Sequence, residues 1–172
     1  MALYLVESFL QGKINNEQDV SDLQGKLAEK GLNLIDAQIS KDLVRAFFVI
    51  ESEERDLVTG TLRELGIPVA LIKPVRLVGK DLEDVKKQAD RVNYLVEWNL
   101  PENLTMDQYI DRKTKGSVHY AEVPEVAFSR TYVCEDMTKC LCFYDAPDED
   151  AVKRARQAVK APIDTVTEIF QG

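Results

Sequence analysis

Apolar and polar positions along this chain alternate between a period near two and a period near 3.6, in an order that occurs twice. Residues 2–8 are β-rich with an acid, Glu7, near the end, and they read as a strand. Asn15 or Asn16 can cap a following helix, which carries Val20, Leu23, Leu27 and Ala28 at helical spacing and stops at Gly31. Residues 34–40 and 43–51 are two strands joined at Lys41-Asp42, close enough for a hairpin. Ser52 is the expected N-cap of a second helix, with Glu53, Glu54 and Asp56 in or near its first turn. That helix carries Leu57, Val58, Leu62 and Leu65 and ends at Gly66, before a strand over 69–77. The order is β-α-β-β-α-β.

The second half reads the same way: strand 92–98, a helix from about Thr105, strands 127–134 and 139–145, a helix from Asp148 to Lys160, and strand 163–170. Tyr4-Leu5-Val6-Glu7 returns as Tyr94-Leu95-Val96-Glu97. From the second strand onward an offset of 94 aligns Ile39 with Val133, Asp42 with Asp136, Phe48 with Cys142, Pro68 with Pro162 and Val75 with Ile169. Before that strand the offset is 90, so the second copy holds four extra residues, placed near 119–124. A repeat of this length decides architecture before any propensity argument does.

These elements predict an α+β chain of two tandem ferredoxin-like (βαββαβ) units: repeat 1 over 1–79, a polar helical linker over 80–91, and repeat 2 over 92–172. Each sheet is expected in the order 4-1-3-2. The fourth strand is then outermost, where Pro74 needs no ladder bond. The third strand is apolar on both sides, with Val44, Ala46, Phe48 and Ile50 on one and Phe47 and Val49 on the other. A strand apolar on both faces needs both covered. The expectation is therefore two units packed sheet to sheet as a pseudo-dimer with a cleft between them.

Composition narrows the function. The net charge of −8 is spread evenly, 16 acids and 12 bases in residues 1–90 against 14 and 10 in 91–172. An acidic chain with no basic stripe is a poor nucleic-acid binder, because phosphate neutralisation supplies most of that affinity. No apolar run approaches the roughly 20 residues that span a bilayer, and the N-terminus lacks a basic segment and an apolar stretch of signal length. Cys134, Cys140 and Cys142 are odd in number and close together, which is no secretory disulfide framework. A cytoplasmic protein is expected, with self-association through edge strands open to it.

The candidate chemistry gathers in the second repeat. Cys140 and Cys142 lie two apart on a strand and share a face. With Asp136 or His119 nearby they can hold a soft or borderline metal; as free cysteines they equally well pack a core. His119, the single histidine, sits in or beside the inserted stretch and can serve as one ligand or a proton shuttle. Glu7 and Glu97 occupy equivalent strand ends, where they can bind a cation, exchange a proton, or pair with Arg45 and Lys139. Trp98, the single tryptophan, can wall a pocket or fill a seam. No glycine-rich phosphate loop is present, and no cofactor is assigned.

Tyr94-Leu95-Val96-Glu97, Arg130-Thr131-Tyr132-Val133, the run Lys139-Cys140-Leu141-Cys142-Phe143-Tyr144-Asp145-Ala146-Pro147 and Ala161-Pro162-Ile163-Asp164 resemble a family of small bacterial ferredoxin-like domains described as of unknown function or as nickel-responsive. The resemblance covers about 80 residues, and the first half looks like a diverged copy with Phe48 at the cysteine position. It implies a fold that tends to associate and a divalent transition metal such as nickel, with Cys142 at the family's cysteine. Relatives often carry histidine where this chain has Arg130, and a guanidinium has no lone pair for a metal. The set left for a metal is Cys142, His119 and Glu97.

The expected function is a small binding protein for a transition metal or small ligand in the cleft, lined by Glu7, Trp98, Arg130, Tyr132, Cys140 and Tyr144. Two alternatives stand beside it: a cofactor-independent enzyme using Glu97, Tyr132, His119 or Cys142 as acid, base or nucleophile, and a protein-interaction module.

Overall fold

The computed structural model describes residues 1–87 and 91–171. Its elements are β1 (Ala2–Phe9), α1 (Glu17–Glu29), β2 (Asn33–Ile39), β3 (Arg45–Ser52), α2 (Arg55–Glu64), β4 (Leu71–Val78), α3 (Leu82–Lys86), β5 (Tyr94–Asn99), α4 (Met106–Gly116), β6 (Ala127–Cys134), β7 (Lys139–Asp145), α5 (Glu149–Ala158) and β8 (Thr165–Glu168), with a 3-10 segment, Ser117–Glu122, directly after α4. The chain is α+β. It divides into two compact units, Met1–Val75 with Phe170–Gly172, and Arg76–Ile169.

In the first unit the strands lie in the order β2-β3-β1-β4, all antiparallel, so β4 is outermost of the four and Pro74 sits across from Tyr4. One face of this sheet and the two helices enclose Val6, Leu23, Leu27, Ala46, Phe48, Ile50, Val58 and Leu62. Phe47 and Val49 point the other way and are also buried. Phe170 packs on the first core and its N–H donates to the Ile39 carbonyl at 2.7 Å.

In the second unit the order is β6-β7-β5-β8, again antiparallel. Val96 faces Cys142 across the ladder and Trp98 faces Cys140. These residues share a core with Tyr109 of α4 and Val152 and Ala155 of α5.

Local chemistry repeats between the units. Each β2–β3-type hairpin turns on a non-glycine residue in the left-handed region, Leu43 (φ 64°) and Met137 (φ 59°), just after an aspartate that accepts hydrogen bonds inside the turn. Each also has a bulge in its first strand, between Leu34 and Asp36 and between Phe128 and Arg130. The α2 helix ends at Gly66 with φ 74°, and at the matching position after α5 the same conformation falls on Lys160, φ 58°.

Some expectations need correction. Ser52 does not cap α2: it is the last residue of β3, its hydroxyl bonds the backbone of Glu54, and Glu54 is the N-cap without a side-chain bond. Val44 falls outside β3 and is 49% exposed, because the turn ends only at Arg45. The strand read over 163–170 is ordered as strand only over Thr165–Glu168. Of the linker helix read over 80–91, α3 covers five residues, and 88–90 lie outside the described residues. Asn16, one of the two residues offered, caps α1; Thr105, in a reciprocal capping box, caps α4, and Asp148 caps α5, at positions read only as helix starts.

Candidate functional site: a cation-lined pocket beside Arg156

Strand alternation sorts the candidate residues by face. Tyr94, Val96 and Trp98 of β5 and Cys140, Cys142 and Tyr144 of β7 lie under the helices of the second unit. Glu97 lies on the opposite face, where Lys139 donates to it at 3.0 Å and the Thr165 hydroxyl at 2.6 Å. Arg130 and Tyr132 share that face: the guanidinium lies 5.1 Å over the Phe143 ring and Tyr132 meets the same ring edge-on. Glu7 in the first unit pairs with Arg45 at 2.8 Å, matching the Glu97–Lys139 pair. His119 is exposed on the 3-10 segment, 2.6 Å from Glu122.

The structure therefore brings Trp98, Cys140, Cys142 and Tyr144 together and leaves Glu97 and His119 apart from them. Among the described residues no three of His, Cys, Asp and Glu gather as a metal group would need. The extra residues of the second unit do contribute: the 3-10 segment carries Tyr120, whose hydroxyl shares a 2.6 Å hydrogen bond with that of Tyr144. Tyr120 also stacks on Phe128 with ring centres 5.3 Å apart.

The residue the sequence reading passed over is Arg156. It is only 2% exposed and lies on the inner stripe of α5 with Ala151, Val152 and Ala155. Its NH1 donates to the Cys142 sulfur at 3.3 Å and to the Tyr144 hydroxyl at 3.1 Å, and its NH2 donates to the Pro162 carbonyl. Its Nε has no hydrogen-bond partner among the described residues. The Thr131 hydroxyl gives Cys142 a second donor at 3.2 Å. At the equivalent positions of the first unit stand Phe48 and Leu62, both 0% exposed.

A guanidinium cannot be deprotonated, so a buried one requires a negative partner or carries a penalty of several kcal/mol. No carboxylate contacts Arg156 among the described residues. Of the two acids it touches, the thiol ionises more readily than the phenol. The hydrogen bond from Cys140, the Arg156 and Lys113 charges and the Thr131 hydroxyl hold Cys142 well below the usual thiol range, against the opposing effect of burial. Giving that hydrogen bond, together with burial, pushes Cys140 well up. Burial, with the Cys142 charge added, raises Tyr144 and Tyr109 and pushes Tyr120 up to about 12. The surroundings thus favour the ionised form of Cys142 and the protonated forms of Cys140, Tyr144 and Tyr109.

Arg156 also lines a pocket with Trp98, Tyr109, Arg112, Lys113 and Tyr120. Counted out to its open mouth the pocket measures about 380 Å³, with about 30 Å³ of room for water-sized contents, enough for about two waters. Three cations line it and no acid does. Arg112 is tied to the Lys160 carbonyl and lies 5.2 Å over Trp98; the Lys113 ammonium sits 4.0 Å over Phe128. Burial lowers the pKa of Lys113, the mark of a charge short of compensation. Gly116 lets α4 approach the end of α5: a Cβ there would stand 3.0 Å from the Val159 carbonyl oxygen.

Residues 94–169, the core of the second unit, match the model of a family described as "Nickel responsive protein SCO4226-like". The second unit resembles that family. No curated protein matches the chain. Among solved structures, a "Putative Chlorite dismutase" aligns over 99% of this chain and 96% of its own, with 14% identity and a TM-score of 0.51. An anthrone oxidase-like protein aligns over 99% and 92%, with 14% identity and a TM-score of 0.41. A protein from Bacteroides thetaiotaomicron aligns over 98% and 91%, with 12% identity and a TM-score of 0.33. At 14% identity the first of these likenesses is one of fold, a chain of two ferredoxin-like units.

Proposed function

We propose that this protein binds a small molecule and that the pocket of the second unit receives it, with an acidic group of the ligand set among Arg156, Lys113 and Arg112. The carrying observation is the Arg156 Nε, a buried donor with no partner on a residue that lines the pocket. Buried donors left unmatched cost about 1–3 kcal/mol, and an incoming oxyanion removes that cost. Two or more cations against one thiolate leave the pocket net positive in a protein of charge −8, so the local field favours an anion. Trp98, Tyr109 and Val159 offer an apolar wall for the rest of the ligand. A compact aromatic or aliphatic carboxylate meets these terms.

Calorimetry with benzoate, acetate and inorganic phosphate tests the reading. Saturable binding of one of them is expected, weakened about tenfold, or 1.4 kcal/mol, in Lys113→Gln and in Arg156→Gln. Anions that bind no better to the parent than to both variants would defeat the proposal.

The family's nickel responsiveness supports a second reading, a metal-binding protein. The donors of this chain fit it poorly. Arg156 and Thr131 already donate to the Cys142 sulfur, Glu97 projects from the other face, and His119 is engaged by Glu122 at the surface. Nickel uptake lost in Cys142→Ser would favour the metal reading over the anion reading.

A further inference from the structure

We propose that Cys142 is a modification site for hydrogen peroxide, which reaches it through the pocket and oxidises it where Arg156 holds the sulfur. The inference does not rest on the pocket taking an anionic ligand.

Three features of the site carry it. The first is charge: Arg156, 2% exposed and touching no carboxylate among the described residues, has its NH1 3.3 Å from the Cys142 sulfur. The anion that compensates this guanidinium is the Cys142 thiolate, the form of cysteine that attacks peroxides. The second is access. Cys142 itself is only 1% exposed, but Arg156, which touches it, lines the pocket, which has room for water-sized contents. Hydrogen peroxide is small enough to enter that space. The third is the fate of the product. Oxidation adds an oxygen acceptor beside a guanidinium whose Nε has no partner.

In the reaction a sulfur lone pair attacks one peroxide oxygen, an S–O bond forms and the O–O bond breaks. The departing hydroxide takes a proton from solvent and leaves as water. Sulfur is oxidised to the sulfenic acid and the peroxide is reduced.

The three cysteines are all buried, so they form an internal comparison. The folded protein is treated with hydrogen peroxide, quenched, unfolded in an alkylating agent, and mapped by fragmentation mass spectrometry. Free thiol at Cys142 is expected to disappear at least about tenfold faster than at Cys134, and a thiol reductant should restore it. Dimedone added as the oxidised protein is unfolded should trap the sulfenic acid at Cys142. Arg156→Gln should remove both the selectivity and the thiolate absorbance near 240 nm that the parent shows at neutral pH. Equal loss at Cys134 and Cys142, or thiolate absorbance unchanged in Arg156→Gln, overturns the proposal. Because the mapping uses the unaltered chain, a variant that fails to fold leaves the main comparison intact.

Discussion

Replacing Cys142 by serine should cost stability in a way that grows with pH. Removing one partner of a buried ion pair costs about 3–5 kcal/mol, because the other charge stays buried without compensation. Serine keeps an oxygen within reach of Arg156, so the low end, about 3 kcal/mol, is expected at pH 8. That is a large part of the 5–15 kcal/mol typical of a whole domain. The pH dependence follows from the depressed native pKa of Cys142. In the unfolded chain the thiol titrates near about 8.5. Below that value the unfolded state carries a proton that the native state does not, so parent stability rises with pH. The contribution is complete above about 8.5 and is lost as pH falls through the native value. Between pH 7 and pH 8 linkage then gives the parent extra stability, at most about 1 kcal/mol, that Cys142→Ser lacks. Cys140, Tyr109, Tyr144, Lys113 and Arg156 face the same sulfur and feel its charge, so the difference reads this coupled group and not Cys142 alone. Urea unfolding at the two pH values, compared at equal m, measures it. A stability loss independent of pH would mean that Cys142 is an ordinary buried thiol and that Arg156 is compensated some other way.

Lys139→Met breaks a pair whose side chains are 14% and 8% exposed, and should lower urea-measured stability by about 3 kcal/mol. Arg45→Met should cost less, since Arg45 is 31% exposed and solvent already screens it. Asp148→Ala removes the acceptor of the Ala151 N–H at the start of α5, and thermal unfolding should report a loss of about 1 kcal/mol. Lys160→Gly should stabilise by about 1 kcal/mol, because the exposed lysine holds a left-handed φ of 58° that glycine adopts freely; no rise in melting temperature would argue against strain there.

Much of the fold was legible because it is local. Hydrophobic period, the Asn16 cap and the hairpin positions follow from neighbours a few residues apart, and the second copy checks the first. Ser52 misled because its cap-like chemistry serves the end of β3, where sheet pairing with Ala2 carries the strand one residue further. The site was less legible because it depends on ladder register. Cys142, Glu97 and His119 look adjacent in kind, yet Val96 pairs with Cys142 and so turns Glu97 to the other face. Arg156 left one usable trace, a charged residue in line with Ala151, Val152 and Ala155 on the stripe that α5 buries. At an offset of 94 that stripe aligns with the one holding Val58 and Leu62 in α2.

That alignment makes the first unit a natural control for the second. Where one βαββαβ unit has Phe48 and Leu62 in its core, the other places the Cys142 sulfur against the Arg156 guanidinium, in the same order of elements and with the same bulge. The scaffold folds around grease at these two positions, and hydrophobic replacement of buried ion pairs is commonly neutral or stabilising. Cys142→Phe combined with Arg156→Leu should therefore yield a protein at least as stable as the parent and chemically silent. The charged pair is then an expense that folding does not require, and what it is kept for has to be sought in what the pocket does.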